Sequence, residues 1–126
     1  MIVLDTDVLI EIFDKHSKVG DGAFNTILGK GDSVATTAIN FHEIMYCLLK
    51  FAKPTAEILQ IPVLSYTKED SRLSAQLELG SERAGRPVRR TDAMIAAACI
   101  NNEADIFMFD LKHFQPLKAF GLKMIR

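Results

Sequence analysis

The stretch Met1-Ile2-Val3-Leu4-Asp5-Thr6-Asp7-Val8-Leu9 decides how the chain is read. Ile2, Val3 and Leu4 form a short apolar run with no polar alternation, the pattern of a strand buried on both faces, and Asp5 closes it. Val8, Leu9, Ile12 and Phe13 then recur at helical spacing. A doubly buried strand that turns at an acid into a helix is the opening unit of a parallel α/β sheet.

The same unit recurs along the chain. A helix is expected over Asp21 to Leu28, between Gly20 and the breaker Gly29-Lys30-Gly31. Ser33-Val34-Ala35 predicts a second strand, and Thr37 an N-cap for a long amphipathic helix through Ile44, Leu48 and Phe51 that Pro54 ends. Pro62-Val63-Leu64-Ser65 predicts a third strand, and Thr67 caps a helix carrying Leu73, Leu77 and Gly80, broken by Gly85-Arg86-Pro87. A helix opening near Thr91 carries Ile95, Ala96, Ala98 and Cys99, small residues suited to close packing on a sheet. Ile106-Phe107-Met108-Phe109 predicts a fourth strand ending at Asp110, and Leu122 to Ile125 a short fifth. This alternation specifies a three-layer α/β/α fold around a central parallel sheet of four to five strands, with right-handed crossovers.

The 126 residues suit one domain over 1–126 with a single core and a single site. An apolar fraction of 48% and a charged fraction of 25% are those of a folded globular chain. No apolar run reaches the roughly 18 residues a membrane span needs, so the expectation is a cytoplasmic protein with no membrane segment and no signal peptide. Cys47 and Cys99 both fall in apolar helical patterns and are expected as buried small hydrophobes, not as a disulfide or thiolate site. A net charge of −1 supplies no whole-molecule attraction to polyanions, so nucleic-acid binding requires a local basic patch or a metal ion.

Ligands of open parallel sheets bind beyond the carboxyl ends of the strands. Asp5 and Asp110 each follow an apolar strand, while Glu43 and Asp92 lie in the first turns of helices whose N-termini face that same edge. One acid at a helix start is ordinarily a dipole cap. Four acids from separate segments at one edge are a different matter, because unpaired carboxylates raise one another's pKa until a hard divalent cation neutralises them. An incomplete oxygen cage suits Mg²⁺, and phosphodiester hydrolysis is the natural chemistry of such a centre. Thr6 is placed to orient Asp5 or a metal-bound water, and Asp7 to hold a solvated metal shell, although both also suit a helix start. His42 points to another helical face than Glu43, and His113 stands nearer the site. Arg86, Arg89, Arg90 and Lys112 flank the third and fourth acids, a setting of positive charge suited to a phosphate backbone.

Asp5-Thr6-Asp7-Val8-Leu9-Ile10 after the first strand, Thr37 through Glu43, Gly85-Arg86-Pro87-Val88 leading to Asp92-Ala93-Met94-Ile95-Ala96-Ala97-Ala98, and Phe109-Asp110 followed by His113-Phe114 together resemble PIN-domain proteins nearly end to end. In length and in the order of its four acids the chain is most similar to the VapC-like toxins of prokaryotic toxin–antitoxin pairs. The resemblance implies a Mg²⁺- or Mn²⁺-dependent endoribonuclease with Asp5, Glu43, Asp92 and Asp110 as ligands, a two-fold homodimer, and a small antitoxin that presents a basic side chain near the acids. Two positions depart from the pattern: Met108 replaces a common Thr, and His113 replaces a common second acid, leaving the fourth role to Asp110 alone. The connection from Pro54 to Pro62 is also short for the helical hairpin of many such toxins. Competing readings are a haloacid-dehalogenase-type phosphatase, which would use Asp5-Thr6-Asp7 but needs a catalytic Lys and leaves Glu43 idle, a receiver-like module, which expects an acid after the middle strand, and a PIN-like domain that only binds a partner.

Overall fold

In the computed structural model, which describes residues 1–126, the opening apolar run is the middle of the sheet. Ile2–Leu4 forms β1, pairing in parallel with β2 (Val34–Thr37) on one side and β4 (Asp105–Phe107) on the other. The edges are β3 (Val63–Leu64) and β5 (Met124–Ile125), giving five parallel strands in the order β3-β2-β1-β4-β5.

Helices cover both faces, and the strand residues alternate between two cores as a pleated sheet requires. Ile2, Leu4 and Phe107 pack with Val8 and Leu9 of α1 (Thr6–Leu9), Ala23 and Ile27 of α2 (Lys18–Gly29), and Ile44 and Leu48 of α3 (Ala38–Lys50). Val3 and Ile106 face the opposite core, built on Leu77 of α4 (Lys68–Arg83), Ala93, Ile95, Ala96, Ala97 and Cys99 of α5 (Arg90–Asn101), and Leu117 of a 3₁₀ segment over Gln115–Phe120. The alanines of α5 let its backbone approach closely, and every position from Ala93 to Cys99 except Met94 is buried. No helix is long and apolar enough to cross a membrane.

Several boundaries differ from those the sequence predicts. β2 runs on to Thr37 because buried threonines satisfy themselves: the Thr36 hydroxyl donates to the Leu4 carbonyl at 2.9 Å. β4 stops at Phe107 rather than Phe109, since the Phe109 N–H turns to a side chain instead of a strand. β3 and β5 are two residues each. α2 begins at Lys18, capped by the Ser17 hydroxyl, which accepts from the Gly20 N–H at 3.0 Å, so Gly20 lies inside the helix it was expected to bound. Gly20 has a steric duty there, with a Cβ placed on it only 2.4 Å from the Glu11 carbonyl oxygen. α1 widens into a π-helical turn over Ile10–Asp14. Cys99 is buried as expected, but Cys47 is only half-buried. The short 54–62 connection forms a single 3₁₀ turn, Ile58–Gln60, anchored by buried Ile58.

Candidate active site

At the carboxyl edge of the sheet a cleft of about 290 Å³ is lined by Asp5, Thr6, Asp7, Glu43, Arg89, Asp92, Asp110 and His113. A larger hollow of about 570 Å³ opens around Tyr66, Glu78, Glu82 and Arg90, but Glu78 and Arg90 are spent on each other through Arg90 Nε and one terminal nitrogen, leaving Glu82 as its single other charge. The smaller cleft, with its several carboxylates, is the candidate site.

Each acid arrives on a different element. Asp5 sits where β1 ends, its N–H donating to the Phe107 carbonyl at 3.0 Å, and as the N-cap of α1 it makes no capping bond with its carboxylate. Glu43 projects from α3 and accepts a 2.8 Å bond from the Thr6 hydroxyl. Asp92, in the first turn of α5, is 4% exposed and accepts from Arg89 Nε at 3.1 Å. Asp110 stands on the loop after β4, its Oδ1 accepting the Lys112 N–H at 3.0 Å and its Oδ2 lying 3.2 Å from His113 Nε2.

A residue the sequence did not single out holds two of these acids in place. Asn40 is fully buried one turn into α3. Its Nδ2 donates to Asp5 Oδ1 and to Thr6 Oγ1, both at 2.9 Å, and its Oδ1 accepts from the Thr37 hydroxyl at 2.6 Å. Thr37 caps α3 as expected, accepting the Asn40 N–H at 3.2 Å. Thr37, Asn40 and Thr6 thus form a chain of hydrogen bonds linking the end of β2 to Asp5 and Glu43, with every polar atom of a buried amide satisfied.

The family model of the PIN domain matches residues 2–117. The chain belongs to the PIN-domain family. A search of curated protein sequences finds no match to it. Solved structures give its fold independently. The PIN domain superposes on a chain of VapBC2 from Rickettsia felis, bound to a DNA fragment from its promoter, with a TM-score of 0.81 and 19% identity, covering 99% of this chain and 98% of that one. For FitAcB from Neisseria gonorrhoeae the TM-score is 0.82 at 17% identity, over 100% and 97% of the two chains. For VapBC-5 from Mycobacterium tuberculosis, of the VapBC family of toxin-antitoxin systems, it is 0.71 at 25%, over 98% and 96%.

The electrostatics of the PIN domain's cleft follow from its crowding. Burial, then the charge of Asp7, then that of Asp92 outweigh the hydrogen bonds from the Thr6 backbone and Asn40, and push the Asp5 pKa up to about 7. Arg89 is held more firmly protonated by its bond to Asp92, with further pull from Glu43 and Asp5. Its guanidinium is the one Arg or Lys charge among the lining residues.

The donor set fits a hard divalent cation: the carboxylates of Asp5, Glu43, Asp92 and Asp110 and the Thr6 hydroxyl. The side chains do not close on one point, however. No three His, Cys, Asp or Glu groups stand close enough together to grip one ion, so binding requires some to move inward. Asp110, half exposed, has room to move inward, and Arg89, two-thirds exposed, has room to swing off Asp92.

The remaining residues divide. Asp7, which also lines the cleft, has its Oδ2 engaged by the backbone N–H groups of Phe109 and Asp110. No lysine lines the cleft, and the phosphatase reading needs one. Of the four basic residues, only Arg89 reaches the cleft. Arg90 turns to Glu78, while Arg86 and Lys112 are exposed and do not line it.

Proposed function

We propose that this PIN domain is a Mg²⁺- or Mn²⁺-dependent endoribonuclease, folded as one domain over 1–126 and acting as the toxin of a toxin–antitoxin pair in the cytoplasm. The observation that carries the reading is the meeting of Asp5, Glu43, Asp92 and Asp110, from four separate segments, in one cleft at the sheet's carboxyl edge.

The four carboxylates would hold the cation, which when bound supplies positive charge for the phosphodiester oxygens and a more acidic water. The chain's own groups prepare that site. Asn40 fixes Asp5 and Thr6 fixes Glu43, so two carboxylates are oriented before anything binds. The proton favoured on Asp5 below about pH 7 leaves when positive charge arrives. Arg89, once drawn off Asp92, has the planar fork of donors that matches a phosphate.

Pairing with an antitoxin is supported by the toxin–antitoxin complexes to which the fold is similar, and by exposed apolar side chains on α2 (Val19, Phe24, Leu28) and α3 (Tyr46, Leu49). Self-association as a two-fold dimer belongs to the same reading. The deciding experiment incubates purified protein with an RNA oligomer and its DNA counterpart. RNA cleavage with Mg²⁺ or Mn²⁺, abolished by chelator and by Asp5→Asn, is the expected result. Equal cleavage in chelator, or a wild-type rate from Asp5→Asn, would overturn the reading.

A further inference from the structure

Asp7 is the acid in the cleft that the nuclease reading leaves without a task. Its Oδ2 accepts the N–H of Phe109 and the N–H of Asp110, each at 3.0 Å, from a segment over a hundred residues away in the chain. Its Oδ1 is buried and unpartnered. The receiving loop needs such an anchor. β4 ends at Phe107, and neither Phe109 nor Asp110 makes a backbone bond to another element. The Asp110 carboxylate is bound only from within its own loop, by the Lys112 N–H and His113. The loop therefore fixes Asp110 relative to itself, and Asp7, two residues from Asp5 in rigid α1, fixes the loop relative to Asp5.

We propose that Asp7 is a positioning residue, a clasp that sets where Asp110 stands relative to Asp5. One carboxyl oxygen taking two N–H groups from the same loop ties that loop at two successive residues. The second oxygen is left over by that geometry and is not a ligand. The consequence for cation binding rests on the nuclease reading; the clasp itself does not.

The test uses the full chain and its Asp7→Ala, Asp7→Asn and Asp5→Asn variants, with two readouts. Amide hydrogen exchange at Phe109 and Asp110 reports the clasp, with the Asp5 amide as internal control because its bond to Phe107 is untouched. Mn²⁺ titration followed by electron paramagnetic resonance reports the site. Asp7→Ala is expected to lose protection at the two amides alone and to weaken Mn²⁺ binding by roughly 10- to 100-fold, the range for outer-shell partners. Asp7→Asn, whose amide oxygen accepts both bonds, is expected to restore protection and most of the affinity. Unchanged protection in Asp7→Ala overturns the clasp. So does an Asp7→Asn that loses Mn²⁺ as completely as Asp5→Asn, which would make Asp7 a ligand; this comparison decides the matter even where Asp7→Ala does not fold. Wild-type protein that binds no Mn²⁺ and cuts no RNA, but shows the expected exchange pattern, sinks the nuclease reading and supports the clasp.

Discussion

Asn40 donates to Asp5 Oδ1 at 2.9 Å from a position with no solvent access, so the orientation of the first acid is set by a side chain that itself cannot reorient. Asn40→Leu keeps the approximate volume but strips donors from Asp5 and Thr6 and the acceptor from the Thr37 hydroxyl. Stability should fall by roughly 1–3 kcal/mol, as for other buried groups left unsatisfied, measured by urea unfolding. RNA cleavage should fall further than stability explains, because Glu43 loses its oriented Thr6 partner as well. Cleavage at the wild-type rate in folded Asn40→Leu would remove Asn40 from the site.

Arg89 lies on Asp92 and feels Glu43 and Asp5, so an incoming cation must compete with a guanidinium. Arg89→Gln should bind Mn²⁺ more tightly than wild type by isothermal titration calorimetry, while the KM for RNA rises. Weaker Mn²⁺ binding in the variant would show that Arg89 assists the cation instead of opposing it.

The raised pKa of Asp5 has a definite sign in stability. The folded state holds the Asp5 proton up to about pH 7, whereas an unfolded aspartate releases it near 4. The contribution is therefore fully present below pH 4 and is lost as pH rises through 7, an effect on the order of a few kcal/mol. In chelator, wild-type Tm minus that of Asp5→Asn should become steadily more negative from pH 4 to 8. A difference that is flat over this range would contradict the burial and repulsion assigned to Asp5.

Two glycines of α2 should respond oppositely to alanine. Gly20→Ala drives a methyl group against the Glu11 carbonyl and should destabilise by roughly 1–3 kcal/mol, the cost of overpacking. Gly22 has nothing within 4 Å of its added Cβ, and Gly22→Ala should stabilise by about 0.5–1 kcal/mol through helix propensity. Thermal melts that rank the two variants the other way would refute the packing of α2 on the π-helical turn.

Much of this architecture is local enough to read from the chain. Runs such as Ile2-Val3-Leu4 admit no solvated face, and acids just beyond such strands or early in the helices that follow them land at one edge of a parallel sheet, which is why Asp5, Glu43, Asp92 and Asp110 line the same cleft. What escaped the sequence depends on encounters between distant segments. Asn40 is polar and near a helix start, the profile of a surface residue, and only the approach of β1 and α1 buries it. Asp7 looks like a helix-start acid until the loop at 109–110 folds over it. Arg89 and Arg90 are neighbours in sequence, yet a helical step of about 100° sends one to Asp92 and the other to Glu78. The π-helical turn at Ile10–Asp14 left no mark in the apolar spacing.

The central place of β1 also has a consequence in time. Its partner β2 follows within a few dozen residues, but its other partner, β4, lies roughly a hundred residues further on, and pairing across such a separation is intrinsically slow. During synthesis, one flank of β1 stays open until Asp105–Phe107 has left the ribosome, and Asp110 follows only after that. A chain still being translated therefore carries Asp5, Glu43 and Asp92 without the loop that completes the cleft, and the cleft is closed late, after the pairing that fills the sheet's middle.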